Sequence, residues 1–197
     1  VSIIILTGLM FSGCSKLDEK HRDALVGVNA ANVTATDILK SIYEGDIRDF
    51  MGQENVWAIQ EHTGDQVVGP TRGGDWDDAG VWRQLHTHTF GPTHGFNKDT
   101  YNDVYNAVNS ANLVIGSSTA TPEQVAQARF LRALHYYHII DLWGSAAYRE
   151  IGSDTNADAL VYPRNEATDW VISELEDIMT TLPSATNPTK ANQNAAH

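Results

Sequence analysis

Two tryptophans and several charged side chains lie close together in a glycine-rich stretch of the sequence, from Asp65 to His88. Pyranose rings present flat C–H faces that pack against aromatic rings, and their hydroxyl groups pair well with the planar groups of Asp, Asn and Arg. The stretch therefore predicts contacts with a sugar-like ligand. We expect five residues to make these contacts: Asp65, Arg72, Trp76, Asp77 and Trp82.

The two tryptophans have a second interpretation, which the residues alone leave open. Large aromatic side chains are usually well buried, and a Trp among glycines often fixes its loop onto the domain. Loops carry binding residues more often than packed elements do, which favours Trp76 and Trp82 as ligand contacts. Trp57 is a weaker candidate for the same role.

Part of this stretch is similar to the start of a calcium-binding loop. Asp75 and Asp77 match the first and third ligand positions, and Gly80 matches the sixth-position glycine. Ala79 replaces the fifth-position ligand, and His86 stands where the loop needs a bidentate Glu. We therefore predict no calcium site here.

Histidines form two further groups with spacings that a metal ion could use. His86, His88 and His94 follow the tryptophans, and His135 and His138 lie three apart on a predicted helix with Asp141 next along its face. No Cys or carboxylate stands at a spacing diagnostic of zinc near the first group. Bonds to neighbouring helices explain the second group better, so we predict neither a metal nor a cofactor.

Glu61 and Asp77 are the best candidates for a pair of catalytic carboxylates, as in a glycoside hydrolase. A hydrolase needs its two carboxyl groups about 5 Å or about 6.5–9.5 Å apart, and nothing in the spacing of these residues fixes such a distance. We predict no catalytic residue. A hydrolase, and a helical-repeat adaptor that binds another protein, stay open as alternatives.

The chain is strongly acidic, with a formal net charge of −12 over 197 residues. Such a surface repels the phosphate backbone of nucleic acids and anionic lipid headgroups. This charge argues against nucleic-acid binding and against electrostatic binding to a membrane surface. It favours a neutral ligand.

The first 13 residues are almost wholly apolar and are followed by Cys14 and a polar run. An apolar run of about ten residues is much shorter than the roughly 20 that a membrane-spanning helix needs. It predicts a secretion signal at 1–13. Cys14 is the only cysteine, which excludes a disulfide within the chain and favours lipidation at this position.

Apolar periodicity predicts a mainly α-helical protein with four helices and no sheet. The first helix opens near Thr36 and Asp37, and the second covers 97–115. The third begins after Thr121 with Pro122 at its first position, and it ends at Trp143 before Gly144. A connection of about six residues makes the second and third helices an antiparallel hairpin.

The third helix is apolar nearly all round, so Arg129 and Arg132 within it need partners. An unpaired buried charge is very costly, and we expect carboxylates or helix C-termini of the adjacent hairpin to pair with both arginines. The fourth helix covers 165–182 and stops at Pro183. Its predicted buried face consists of Val171, Ile172, Leu175, Ile178 and Met179.

Four motifs in this order resemble the SusD/RagB family of surface glycan-binding lipoproteins. They are the lipobox-like Phe11-Ser12-Gly13-Cys14, the Pro70–Trp76 loop, the Tyr105–Asn112 segment, and the run from Ala128 to Gly144. The resemblance covers nearly the whole chain. In the lipobox the usual Leu three residues before the cysteine is Phe11.

The resemblance implies an incomplete, N-terminal part of a longer all-α domain, built of tetratricopeptide-like hairpins with irregular, loop-rich insertions. It implies a signal peptide at 1–13, a lipidated tether at 14–33 and the helical-repeat part at 34–197. The acidic run from Cys14 to Glu19 resembles a surface-export tag, so the expected location is the outer face of the outer membrane. Family members bind oligosaccharides without chemistry and deliver them to a SusC-like TonB-dependent transporter.

Overall fold

The computed structural model of the chain describes residues 33–69, 74, 76–154, 158–184 and 190–197. The predicted signal at 1–13 and the tether with Cys14 lie outside these residues, as do Arg72 and Asp75. The described part is mostly helical, which confirms the predicted fold class.

The helices are α1 (Ala35–Ser41), α2 (Ile47–Phe50), α3 (Val56–Thr63), α4 (Val81–His86), α5 (Gly95–Ile115), α6 (Pro122–Trp143) and α7 (Arg164–Ile178). A π-helical segment, Ile42–Asp46, joins α1 to α2, and 3₁₀ turns cover Asp78–Gly80 and Gln193–Ala196. Two short strands, β1 (Ser145–Tyr148) and β2 (Leu160–Pro163), pair antiparallel.

The α5–α6 hairpin is the centre of the fold, and its predicted ends are confirmed. The Thr121 side chain accepts the backbone N–H of Gln124, whose own side chain accepts the N–H of Thr121. Gly144 ends α6 with a φ of +73°, a left-handed conformation that only glycine adopts without cost. The indole of Trp143 donates to Asn97, which joins the end of α6 to the start of α5 and shows that the helices are antiparallel.

The first helix begins slightly earlier than predicted. Thr34 caps α1 in a capping box with Asp37, so the helix starts at Ala35. Its apolar side, with Leu39 and Ile42 fully packed, lies against α5 and α6.

The two arginines of α6 are paired, as predicted. Glu174 of α7 accepts from Arg129 at 2.7 Å and from Arg132 at 2.6 Å. Asp177 accepts a further bond from Arg129, and Asn112 of α5 accepts one from Arg132. This network ties the hairpin to α7 through groups that would be costly if they were buried alone.

The structure corrects the sequence predictions in four places. The segments predicted to be irregular contain α3 and α4, and the chain after α6 forms a small sheet where none was expected. The α-helix α7 ends at Ile178, earlier than the predicted 182, although turns continue to Leu182. Ile172 was expected in the core but is 49% exposed, because α7 buries only the side that faces α6 and β1.

No helix within the described ranges is both long enough and apolar enough to span a lipid bilayer.

Candidate ligand-binding site

The tryptophan-bearing stretch is closed into a loop-like excursion by contacts between its two ends. The ring of His88 lies 2.9 Å from the backbone carbonyl oxygen of Thr63. The Nδ1 atom of His86 lies 3.3 Å from a carboxylate oxygen of Asp65. These contacts bring the end of α3 next to the end of α4.

The backbone of this excursion is strained. Within the described ranges, every non-glycine residue with a positive φ lies in this segment, and their φ values run from +39° to +59°. These residues are Asp65, Trp76, Asp78, Ala79 and His88. Such conformations cost of order 1–3 kcal/mol each and persist only where surrounding contacts impose them. They cluster at binding and active sites, so the strain supports a functional role for this segment.

Trp82 supplies those contacts from inside the fold. It lies on α4 and is only 3% exposed, so the prediction that it sits in a loop is wrong. Its indole N–H donates to Asp78 at 2.7 Å, and its ring packs on Phe96 and His62. Gly69 packs so closely on Trp82 that an added Cβ would lie 3.0 Å from the Cβ of Trp82.

Trp76 presents its ring to solvent above this buried tryptophan. The side chain is 38% exposed, and its ring centroid lies 5.2 Å from that of Trp82. From Trp82 the ring contacts continue through Phe96 and His94 to Phe90, with centroid separations of 4.6–5.9 Å. We call this series of contacting rings, from Trp76 to Phe90, the ring chain. Trp57, the weaker candidate, packs edge-on against His62 and is partly exposed.

The predicted polar contacts are distributed around the ring chain. Asp77 accepts from Arg83 at 2.7 Å, with both side chains about half exposed. Asp65 is largely exposed and faces His86. Asp65, Trp76 and Asp77 thus each contact a different residue of α4, namely His86, Trp82 and Arg83. Arg72 lies outside the described residues.

A groove of about 800 Å³ opens at the end of the ring chain that Phe90 occupies. Its walls come from α3, from the turn at 90–92, from the start of α5 and from the end of α6. The residues that give it chemistry are Gln60, Glu61, Gln66, Phe90, Asn97, Asp141 and Trp143.

Hydrogen bonds hold the groove in shape and leave polar groups directed to a ligand. Gln60 of α3 donates to Asp141 of α6 at 2.8 Å, which ties the two walls together. The Trp143 indole donates to the side-chain oxygen Oδ1 of Asn97 at 2.9 Å, so the side-chain NH₂ of Asn97 remains a donor. A groove with ring faces, amides and carboxylates matches the chemistry of sugar hydroxyls and C–H faces.

Sequence reasoning missed this groove because its walls come from distant parts of the chain. Gln60 and Asp141 are 81 residues apart. The Leu142-Trp143-Gly144 motif predicts the end of the third helix, and it is the local signal in the sequence that points to Trp143.

The described histidines differ in what their rings contact. His88 and His94 contact backbone carbonyl oxygens, and among described residues no group of three or more His, Cys, Asp and Glu side chains is arranged to hold a metal ion. His135 is fully buried, and its Nδ1 lies 2.7 Å from the carbonyl oxygen of Leu131 in the same helix, so the expected bond from His135 to a neighbouring helix is wrong. Burial lowers the pKa of His135 to about 4, and burial also lowers the pKa of His138.

Comparison with known proteins gives relatives over most of the chain. No family model matches it. "SusD-like protein P2" of Formosa agariphila is 25% identical over 194 residues, which cover 93% of this chain and 38% of that protein. "SusD-like protein P25" of the same organism is 34% identical over 58 residues, or 25% of this chain and 11% of that protein.

Solved structures share the fold. A "laminarin binding SusD-like protein" superposes with a TM-score of 0.67 at 18% identity, over 82% of this chain and 37% of that one. "Surface glycan-binding protein A" from Bacteroides uniformis superposes with a TM-score of 0.59 at 18% identity, over 82% and 39%. The chain thus spans less than two fifths of the length of these proteins.

Proposed function

We propose that this chain is a member of the SusD/RagB family and that it binds glycans at the cell surface. A SusD-like relative that aligns with 93% of the chain and a SusD-like structure of the same fold support this proposal. The bound oligosaccharide would lie along the groove and across the exposed ring of Trp76. The observation that carries this proposal is the ring chain, which ends in an exposed tryptophan on one side and in a polar groove on the other.

The geometry of the carboxylates favours binding without chemistry. The candidate hydrolase pair was Glu61 and Asp77. Glu61 lines the groove, but Asp77 does not, and it is paired with Arg83. We therefore propose that the protein is not an enzyme and that Glu61 accepts hydrogen bonds from the hydroxyl groups of the glycan.

The test of glycan binding is native electrophoresis in gels that contain a polysaccharide. Laminarin is the first choice, because a structure of the same fold is described as laminarin binding. Removing an exposed stacking ring costs about 1–2 kcal/mol, so Trp76→Ala should weaken retention roughly tenfold. Tyr137→Ala is the matched control, since Tyr137 is a 56% exposed aromatic on α6 outside both the ring chain and the groove.

Three results would count against this site. Equal retention of Trp76→Ala and the wild-type protein would exclude Trp76 as a contact. Unfolding of Trp76→Ala would show that its ring is part of the core. A folded wild-type protein that no neutral polysaccharide retains would favour the adaptor hypothesis.

We further propose that Cys14 carries a lipid that anchors the protein to the outer membrane, facing the cell exterior, and that a SusC-like TonB-dependent transporter is its partner. The acidic polar run after Cys14 and the family membership support this proposal. Cys14→Ser should move the protein from the membrane fraction to the soluble fraction. A tagged protein purified from gently solubilised outer membranes should bring down a β-barrel transporter in near-equal amount, and its absence would contradict the partnership.

A further inference from the structure

We propose that the groove selects uncharged glycans and excludes those that carry uronate or sulfate groups. This inference rests on the proposed glycan-binding function and specifies its ligand class. Its basis is the charge of the side chains that line the groove, which include two carboxylates and no described Lys or Arg.

The charged side chains that line the groove are both carboxylates. Glu61 projects from α3 and Asp141 from the last turn of α6, so they belong to different walls. Asp141 accepts a bond from the neutral side chain of Gln60, which does not neutralise its negative charge. Burial lowers the pKa of His138, the imidazole that faces Asp141. No described cationic side chain pairs with Glu61 or with Asp141.

No described Lys or Arg side chain is among the residues that line the groove. Lys98 lines an adjoining cavity of about 320 Å³, which shares Pro92, Asn97 and Trp143 with the groove. Arg83 is held by Asp77 at 2.7 Å. Like charges a few ångströms apart repel strongly where water is partly displaced, and salt screens this repulsion.

The same carboxylates suit neutral sugars. A hydroxyl group both donates and accepts, so it can donate to Glu61 or Asp141 and accept from the Asn97 amide. An anionic substituent has only acceptor atoms to offer to these carboxylates. The groove thus gains hydrogen bonds from hydroxyls and meets repulsion from anions.

Three polysaccharides in parallel native gels test the proposal: neutral laminarin, the uronate polymer alginate and sulfated carrageenan. EDTA is present throughout so that calcium cannot bridge carboxylates, and a protein that binds no glycan corrects for gel sieving. At low ionic strength we expect retention by laminarin and at least tenfold weaker retention by both anionic polymers. Added salt should narrow this difference.

The variant pair Glu61→Gln with Asp141→Asn should raise retention by alginate at least threefold. Its matched control is Glu166→Gln with Asp169→Asn, which removes the same two charges from the exposed side of α7. The control pair should leave alginate retention unchanged. Equal gains in both pairs would mean that net charge, and not the groove, excludes anions, and would overturn the proposal.

Retention by alginate or carrageenan that equals or exceeds retention by laminarin would also overturn it, while leaving glycan binding itself intact. Retention by none of the three would contradict the proposed function and this inference together.

Discussion

The buried imidazole of His135 links the stability of this fold to pH. Its ring packs on Phe50 with centroids 5.1 Å apart, and Nδ1 contacts the Leu131 carbonyl oxygen. Desolvation by burial lowers the pKa of His135 from 6.5 to about 4, the bond to Leu131 opposes this effect, and nearby His138 adds to it. We predict that His135→Phe removes a pH-dependent loss of stability.

The sign and the size of this pH effect follow from the pH at which the folded and the unfolded chain each protonate His135. The unfolded chain binds it near pH 6.5 and the folded chain near pH 4, so between these values the unfolded state holds more protons. The stability from neutral His135 is therefore fully present above about pH 6.5 and decreases as the pH falls towards 4. The total is about 3 kcal/mol, of which about 2 kcal/mol is lost by pH 5.

The assay is urea unfolding of the wild-type protein and of His135→Phe at pH 7.5, 6 and 5. Phenylalanine keeps a ring against Phe50 and does not titrate. We expect the variant to gain about 2 kcal/mol relative to wild type between pH 7.5 and pH 5. The control His88→Asn replaces an exposed histidine, at a positive φ that Asn tolerates, and should follow wild type.

Comparing the two proteins at each pH removes the contributions of groups that they share. His138 is the exception, because its interaction with His135 is lost in the variant. A stability difference that stays constant from pH 7.5 to pH 5 would refute the reasoning, because it would mean that His135 does not resist protonation in the fold.

Three other changes test the contacts of the fold. Glu174→Ala leaves Arg129 and Arg132 without their shared carboxylate and should cost about 3–5 kcal/mol in urea unfolding, and a loss below about 1 kcal/mol would show that the network is not a buried ion pair. Burial raises the pKa of Glu174, but the hydrogen bonds from both arginines lower it overall, so this stabilisation should decline as the pH falls below about 4.5. Trp82→Ala removes a buried ring and should cost about 3–5 kcal/mol, whereas a near-neutral result would restore Trp82 as a surface residue. Gly144→Ala should lower the free energy of unfolding by about 1–2 kcal/mol because φ is +73° there, and an unchanged value would contradict a left-handed helix end.

The sequence predicts best those features that depend on neighbouring residues. The capping box at Thr121, the proline after it and the glycine at the end of α6 are local signals, and the helix begins and ends as they indicate. The pairing of Arg129 and Arg132 was predictable because a buried charge requires a partner, even though the sequence did not identify Glu174. These are steric and electrostatic requirements, which hold whatever the rest of the chain does.

Features that depend on distant contacts were not predictable. The burial of Trp82 needs His62 and Phe96, which approach it only after α3 and α5 are in place. Helices as short as α3 and α4 carry little periodicity and depend on such packing. Of the candidate site, the sequence indicated the region and the exposed Trp76, but the groove exists only because α3 and α6 meet.

The proposed binding at Trp76 should depend on Trp82, whose buried ring packs against that of Trp76. The positive φ angles of Trp76 and Asp78 are unfavourable, and the contacts of the buried Trp82 ring must compensate for them. The bond from the Trp82 indole to Asp78 fixes the turn directly after Trp76. Asp78→Gly removes the acceptor and tolerates positive φ, so it should reduce retention on laminarin gels by releasing Trp76, with little change in melting temperature. Asp78→Asn keeps an acceptor and should retain binding, and equal binding by both variants would mean that Trp76 is positioned without this bond.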